Sequence, residues 1–233
     1  MIATLSRIGF ALALFTQVAS AAAPLDVHCT KAGKAWSELS KADQDKALAG
    51  EVLLFEETPA GKDWPLINVY FVVESTPEEA MAVFADYNRQ KEYMPGVIES
   101  KIKSSPGPRR AYVYYVIDAV FRNSWYNTQN ILAYDSKIDQ FRADWTKYGE
   151  AQDAKVIDGV VRTEAVGGAA LVAYRLYTEI DGGIFTGIAR GQGPGRAQKT
   201  MTALRDRIRT ERKSMKELLR TQVEALRKEL AAQ

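Results

Sequence analysis

Leu66-Ile-Asn-Val-Tyr-Phe-Val-Val-Glu-Ser-Thr-Pro-Glu-Glu-Ala80 is the stretch on which the fold turns. Its first eight residues, Leu66–Val73, are almost all β-branched, aromatic or aliphatic, the types that suit a pleated and buried surface, so they read as a strand. A helix follows at once. Ser75-Thr-Pro77 supplies hydroxyl caps and a proline for the first helical position, while Glu78 and Glu79 place negative charge at the electropositive helix start. Ala80, Val83 and Phe84 then recur at helical spacing, which turns that side inward. Asp86 and Tyr87 end this helix, and 88–93 reads as a second short one, stopped by Met94-Pro-Gly96.

Working outward, Ser40-Lys-Ala-Asp43 caps and opens a short helix that Gly50 closes, since glycine tolerates the left-handed turn after a helix. Val52-Leu-Leu-Phe55 is a short apolar strand and Thr58-Pro-Ala-Gly61 its turn. After 97 the pattern changes to strands, expected at 97–103, 111–121, 125–134, 141–148, 156–165 and 170–180. Ser-Ser-Pro-Gly-Pro at 104–108, Asp135-Ser136 and Gly167-Gly168 separate them, and such tight turns argue antiparallel meander pairing. Phe141-Arg-Ala-Asp-Trp-Thr146 alternates, so one face is buried and the other wet.

The last third is helical. A loop of repeated glycines (Gly191, Gly193, Gly195, with Pro194) is expected to act as a hinge. From 196 to 230 there is neither Pro nor Gly. Met201, Leu204, Ile208, Met215, Leu219, Leu226 and Leu230 form one apolar stripe. Straight, that helix is roughly 50 Å long, against about 35 to 40 Å for a domain of this size. Its end therefore projects, bends or packs on a partner. The class is α+β: a curved antiparallel sheet closed by the long C-terminal helix, with two short helices plugging one end. That arrangement can leave interior volume that side chains do not fill.

The chain has 233 residues, one domain's worth, and a formal net charge of +2, too small for a nucleic-acid binder. Arg7, the apolar run Ile8-Gly-Phe-Ala-Leu-Ala-Leu-Phe-Thr-Gln-Val18 and Ala19-Ser-Ala21 have the form of an export leader cut after Ala21. An uncleaved anchor is the competing reading, although the run is short for a membrane span. The mature protein is then periplasmic or secreted. The expected organisation is 1–21 leader, 22–49 lead with a short helix, 50–215 main domain and 216–233 an extension of the last helix. Cys29 is the sole cysteine and His28 the sole histidine. Cys29 is either a free thiol near the mature terminus or a link between chains. Histidine-dependent triads and Cys/His zinc sites lack their residues, so neither metal nor cofactor is expected.

Gly50-Glu-Val-Leu-Leu54, the run 69–75 with its Thr-Pro-Glu-Glu-Ala sequel, and Phe84-Ala-Asp-Tyr-Asn-Arg-Gln-Lys-Glu-Tyr-Met-Pro-Gly-Val97 resemble the polyketide cyclase/dehydrase and START-like (SRPBCC) superfamily. The resemblance covers about 50–215 and implies a helix-grip domain with a deep cavity for lipids, sterols, isoprenoid quinones or polyketides. Most members bind or carry; some cyclise or dehydrate.

Within this frame Tyr87, Tyr93 and Met94 sit where a cavity mouth is expected, and Tyr112, Tyr114, Trp125, Trp145 and Tyr174 are strand aromatics able to line it. Arg175 either meets an acidic head group or lies on the wet face. Asp118, inside an otherwise apolar run, is the one catalytic candidate. It is either a buried carboxylate suited to proton transfer, or it points outward or pairs with Arg122 or Arg175. Eleven basic and five acidic residues between 196 and 230 suit a membrane surface, a solvated face or a homodimer seam. Three functions follow: an exported carrier of a hydrophobic small molecule; a cyclase/dehydrase-like enzyme using Asp118 with arginine and tyrosines; or a filled domain whose tail mediates assembly.

Overall fold

The computed structural model describes residues 33–119, 122–181, 183 and 186–231. The expected leader and its cut after Ala21, with His28 and Cys29, lie outside the described residues, as does Phe121.

A 3₁₀ turn, Trp36–Glu38, leads into α1 (Lys41–Leu48), where the Ser40 hydroxyl accepts the Asp43 N–H as the sequence requires. β1 (Leu53–Glu57) and β2 (Leu66–Val73) form the first hairpin. α2 (Pro77–Ala85) starts on a reciprocal capping box. Thr76 accepts the Glu79 N–H at 3.1 Å, and the Glu79 carboxylate accepts the Thr76 N–H at 2.9 Å. Two backbone donors that the helix cannot satisfy itself are thereby paired. A 3₁₀ turn at Tyr87–Glu92 takes the place of the second short helix. Six strands follow: β3 (Val97–Gly107), β4 (Arg110–Asp118), β5 (Asn123–Asp135), β6 (Gln140–Ala151), β7 (Ala154–Val166) and β8 (Ala169–Ile180).

All eight strands join one antiparallel sheet in the order β1-β2-β8-β7-β6-β5-β4-β3. After β2 the chain crosses through α2 to the far edge and then meanders back until β8 pairs with β2. The connection carrying α2 therefore plugs one end of the curve. The inner face takes α3 (Thr186–Ser214), whose Ala197, Met201, Leu204 and Ile208 are buried at spacings of four, three and four. On the outer face Leu39 and Ala47 pack on Tyr70, Val72 and Leu171. With covers on both sides, every residue of β2 is buried, which explains its unbroken apolar run.

Three expectations are corrected. The glycines at 191–195 are not a loop: α3 begins at Thr186 and passes through Gly191, Gly193, Pro194 and Gly195. Packing on the sheet overrides weak local propensity here. The last helix is not one rod with an extension. It breaks at Met215, and α4 (Lys216–Ala231) turns back onto α2, burying Leu219 and Leu226 in the main core. Finally, β3 runs on through Ser104-Ser-Pro-Gly107, with bulges, because an edge strand tolerates a proline that donates to no neighbour. The turn falls one step later, with Arg109 at φ 62°. Among the described residues no helix is long and apolar enough to cross a membrane.

Candidate functional site

The concave face of the sheet, the N-terminal half of α3 and the plug of α2 with its 3₁₀ turn enclose a cavity of about 630 Å³. Its deep end is aromatic. Trp145 packs against Phe84, ring centres 5.8 Å apart, and against Tyr174 at 5.4 Å. Trp145 can lie flat there because Gly159 faces it across the β6–β7 register; a Cβ at Gly159 would come within 2.0 Å of the indole. Next to this wall Gln90 donates to the Phe84 carbonyl at 2.8 Å and accepts from the Tyr115 hydroxyl at 2.7 Å. Tyr115 in turn stacks on Tyr126. Burial, helped by neighbouring tyrosines, holds the Tyr115 hydroxyl well above the usual phenol range. Burial alone pushes Tyr126 up to about 12.

The other end is charged. Arg122 pairs with Asp153 there, and Arg196 donates to the Asp118 carbonyl oxygen at 2.6 Å. Arg190 lies 5.8 Å from the centre of the Trp64 ring, and its Nε has no hydrogen-bond partner among the described residues. Pro95 and Gly96 complete the rim.

Strand parity sorts the candidates. Met94, Trp145 and Tyr174 line the cavity. Tyr112, Tyr114, Trp125 and Arg175 do not: on β4, β5 and β8 the inward residues are Tyr115 and Ile117, Ser124 and Tyr126, and Tyr174 and Leu176, so their neighbours in sequence point away. On that outer surface Tyr112 stacks on Tyr148, Tyr114 lies by Trp125 under Lys103, and Arg175 contacts Glu57 at 3.2 Å. The same parity corrects Asp118 as a buried carboxylate: it is exposed. Arg122 and Arg175, its imagined partners, are engaged by Asp153 and Glu57 instead. Tyr87 and Tyr93 belong to the plug rather than the cavity wall. Tyr87 is 3% exposed and its hydroxyl has no hydrogen-bond partner among the described residues, and Tyr93 donates to the Val83 carbonyl at 3.3 Å.

Sequence reasoning missed the inward side of β5 altogether. Ser124, Tyr126, Thr128 and Asn130 all line the cavity. Their period of two was the available signal, hidden because Asn127 and Gln129 between them are equally polar and Trp125 is as aromatic as Tyr126. The basic bias of the last helices is largely spent internally: Arg207 on Glu211 and Glu92, Arg212 on Glu79, Arg220 on Glu217, and Arg227 on Glu78.

Sheet order, plugged end and gripped helix define a START-like helix-grip fold. Among solved structures, the chain is similar to the STAR-related lipid transfer protein of Xanthomonas axonopodis, at 15% identity and TM-score 0.61, over 68% of this chain and 93% of that one. It is also similar to human StAR-related lipid transfer protein 5, at 9% identity and TM-score 0.60, over 75% and 97%. The Zhui aromatase/cyclase of Streptomyces sp. R1128 aligns at 11% identity and TM-score 0.52, over 64% and 96%. No protein-family model and no curated protein sequence matches the chain. At these identities the likeness concerns the fold.

Proposed function

We propose that this protein is a carrier that encloses an apolar small molecule in the helix-grip cavity. One observation carries the reading: an open volume of about 630 Å³ remains between sheet and helix although Trp145, Tyr115, Tyr126 and Tyr174 all reach it. That is within the size range of drug- and lipid-sized sites. The aromatics form walls; they do not fill the space. Two of the similar structures are named as lipid transfer proteins, which accords with this use of the fold. The charged rim suits the polar end of an amphiphile, its apolar part lying against Ile157, Leu176 and Met201. The enzymatic alternative loses its support, since Asp118 lies outside the cavity. The leader-like N-terminus would place the carrier outside the cytoplasm.

The test is native mass spectrometry of the protein purified from its own host, followed by uptake of the apolar dye N-phenyl-1-naphthylamine by delipidated protein. The carrier reading expects a co-purifying lipid-sized mass, removed by solvent extraction, and dye fluorescence that rises to a single saturable plateau. Protein that carries nothing from its host and leaves the dye dark would end the proposal.

A further inference from the structure

We infer that the ligand bears hydroxyl or carbonyl oxygens along its apolar body, because β5 turns a ladder of uncommitted polar groups into the cavity. The inference rests on the carrier reading and narrows it to a chemical class. Ser124, Tyr126, Thr128 and Asn130 occupy alternate positions of one strand and all line the cavity. Alternate residues on a strand repeat every 6.8 Å or so, so the four span about 20 Å along one wall.

Three of these side chains are almost wholly withdrawn from solvent: Ser124 is 5% exposed, Thr128 2% and Asn130 3%. Groups so placed normally have hydrogen-bond partners inside the protein. Here only one bond links the ladder to itself, from the Asn130 amide to the Thr128 hydroxyl oxygen at 2.8 Å. Asn130 also makes a long contact of 3.5 Å to the Thr128 carbonyl. The Asn130 side-chain oxygen, the Thr128 hydroxyl proton, the Ser124 hydroxyl and the Tyr126 hydroxyl bond to no described residue. They are nonetheless not sealed away, because the cavity reaches them.

The contrast with Gln90 and Tyr115 on the same wall is instructive. Those two are as deep, but they satisfy one another and the Phe84 carbonyl. They are structural and closed, whereas the ladder is open. Ile67, Ile157, Leu176 and Met201 supply apolar lining elsewhere. A plain acyl chain would fit those residues yet strip water from the ladder and give nothing back. A molecule of similar girth with oxygens on one side would replace that water bond for bond.

Displacement of N-phenyl-1-naphthylamine by stearate, and by a panel of its mono- and dihydroxylated forms, tests this. The best hydroxylated form is expected to displace the dye at a concentration at least tenfold below that of stearate. In the near-isosteric double variant Thr128→Val/Asn130→Leu that advantage should shrink to threefold or less, with stearate binding unchanged or tighter. Should the double variant not fold, Ser124→Ala and Thr128→Val are read singly by the same ratio. Stearate displacing the dye as well as every hydroxylated form from wild-type protein overturns the inference and leaves the carrier reading intact. A preference that survives the substitutions does the same. A wild-type protein that takes up no dye removes both.

Discussion

Gly159 is the residue on which the cavity's shape depends most directly. Its missing Cβ is the space in which the Trp145 indole lies, and an alanine there would stand 2.0 Å from the ring. The ring cannot retreat outward, because the strand backbone is behind it, so it must swing toward Phe84, Tyr174 and the open volume. Gly159→Ala should therefore cost about 1–3 kcal/mol, the usual range for overpacking a core, and weaken dye uptake at the same time. Urea denaturation and dye titration read the two effects. Unchanged values for both would show that Trp145 is not held where it has been placed. The same scale shows why several site residues could not be read from sequence. Ala111-Tyr-Val-Tyr-Tyr-Val-Ile-Asp118 is apolar on both parities, so periodicity names no inward face. A one-residue choice then moves Tyr112, Tyr114 and Asp118 together to the outer surface. Trp145 was legible because Phe141, Ala143 and Trp145 alternate cleanly with polar neighbours.

At the scale of elements, local chemistry was readable wherever a residue performs a backbone task. Ser40 and Thr76 cap the helices they were expected to cap, and Leu66–Val73 is the strand expected. The start of α3 was not readable, because four glycines and a proline between 187 and 195 argue against a helix. The segment is helical by virtue of what it leans on: Gly193 approaches Ile67, and Pro194 and Ala197 are buried. Pro194 also leaves the Arg190 carbonyl without its ladder bond. This part of α3 is thus helix by context, and it forms one side of the cavity mouth. Gly195 is exposed, and a Cβ added there meets nothing within 4 Å. Gly195→Ala should then stabilise the protein by about 0.5–1 kcal/mol, through the helix propensity recovered. A thermal melt that falls instead would mean this turn is not helical in solution. The break at Met215 belongs to the same class of fact. The apolar stripe runs unbroken through it in sequence, and only the limited length of the sheet, with α2 waiting to be covered, tells the chain to turn back.

For the molecule as a whole, the plug end shows what the fold asks of its interior. Tyr87, Tyr93, Tyr115 and Tyr126 come from the plug, β4 and β5 and converge beside the cavity. Burial raises each hydroxyl above the ordinary phenol range, with Glu211 and Asp86 adding to the effect at Tyr93 and Asp144 at Tyr87. A phenol whose folded value lies above its unfolded value of about 10 keeps its proton longer in the native state. The resulting contribution to stability is complete below pH 10 or so and is lost as pH climbs from there through the folded values. Stability in urea should accordingly hold level up to about pH 10 and fall beyond it. Absorbance at 295 nm should show exposed tyrosines ionising first and the buried group only as near-ultraviolet circular dichroism collapses. A ligand seated against Tyr115 and Tyr126 binds only the folded chain, so saturating it must move this alkaline transition to higher pH. One smooth ionisation near pH 10, with the fold intact and indifferent to ligand, would mean that these hydroxyls stand in bulk solvent and that the site is not the enclosed interior a carrier needs.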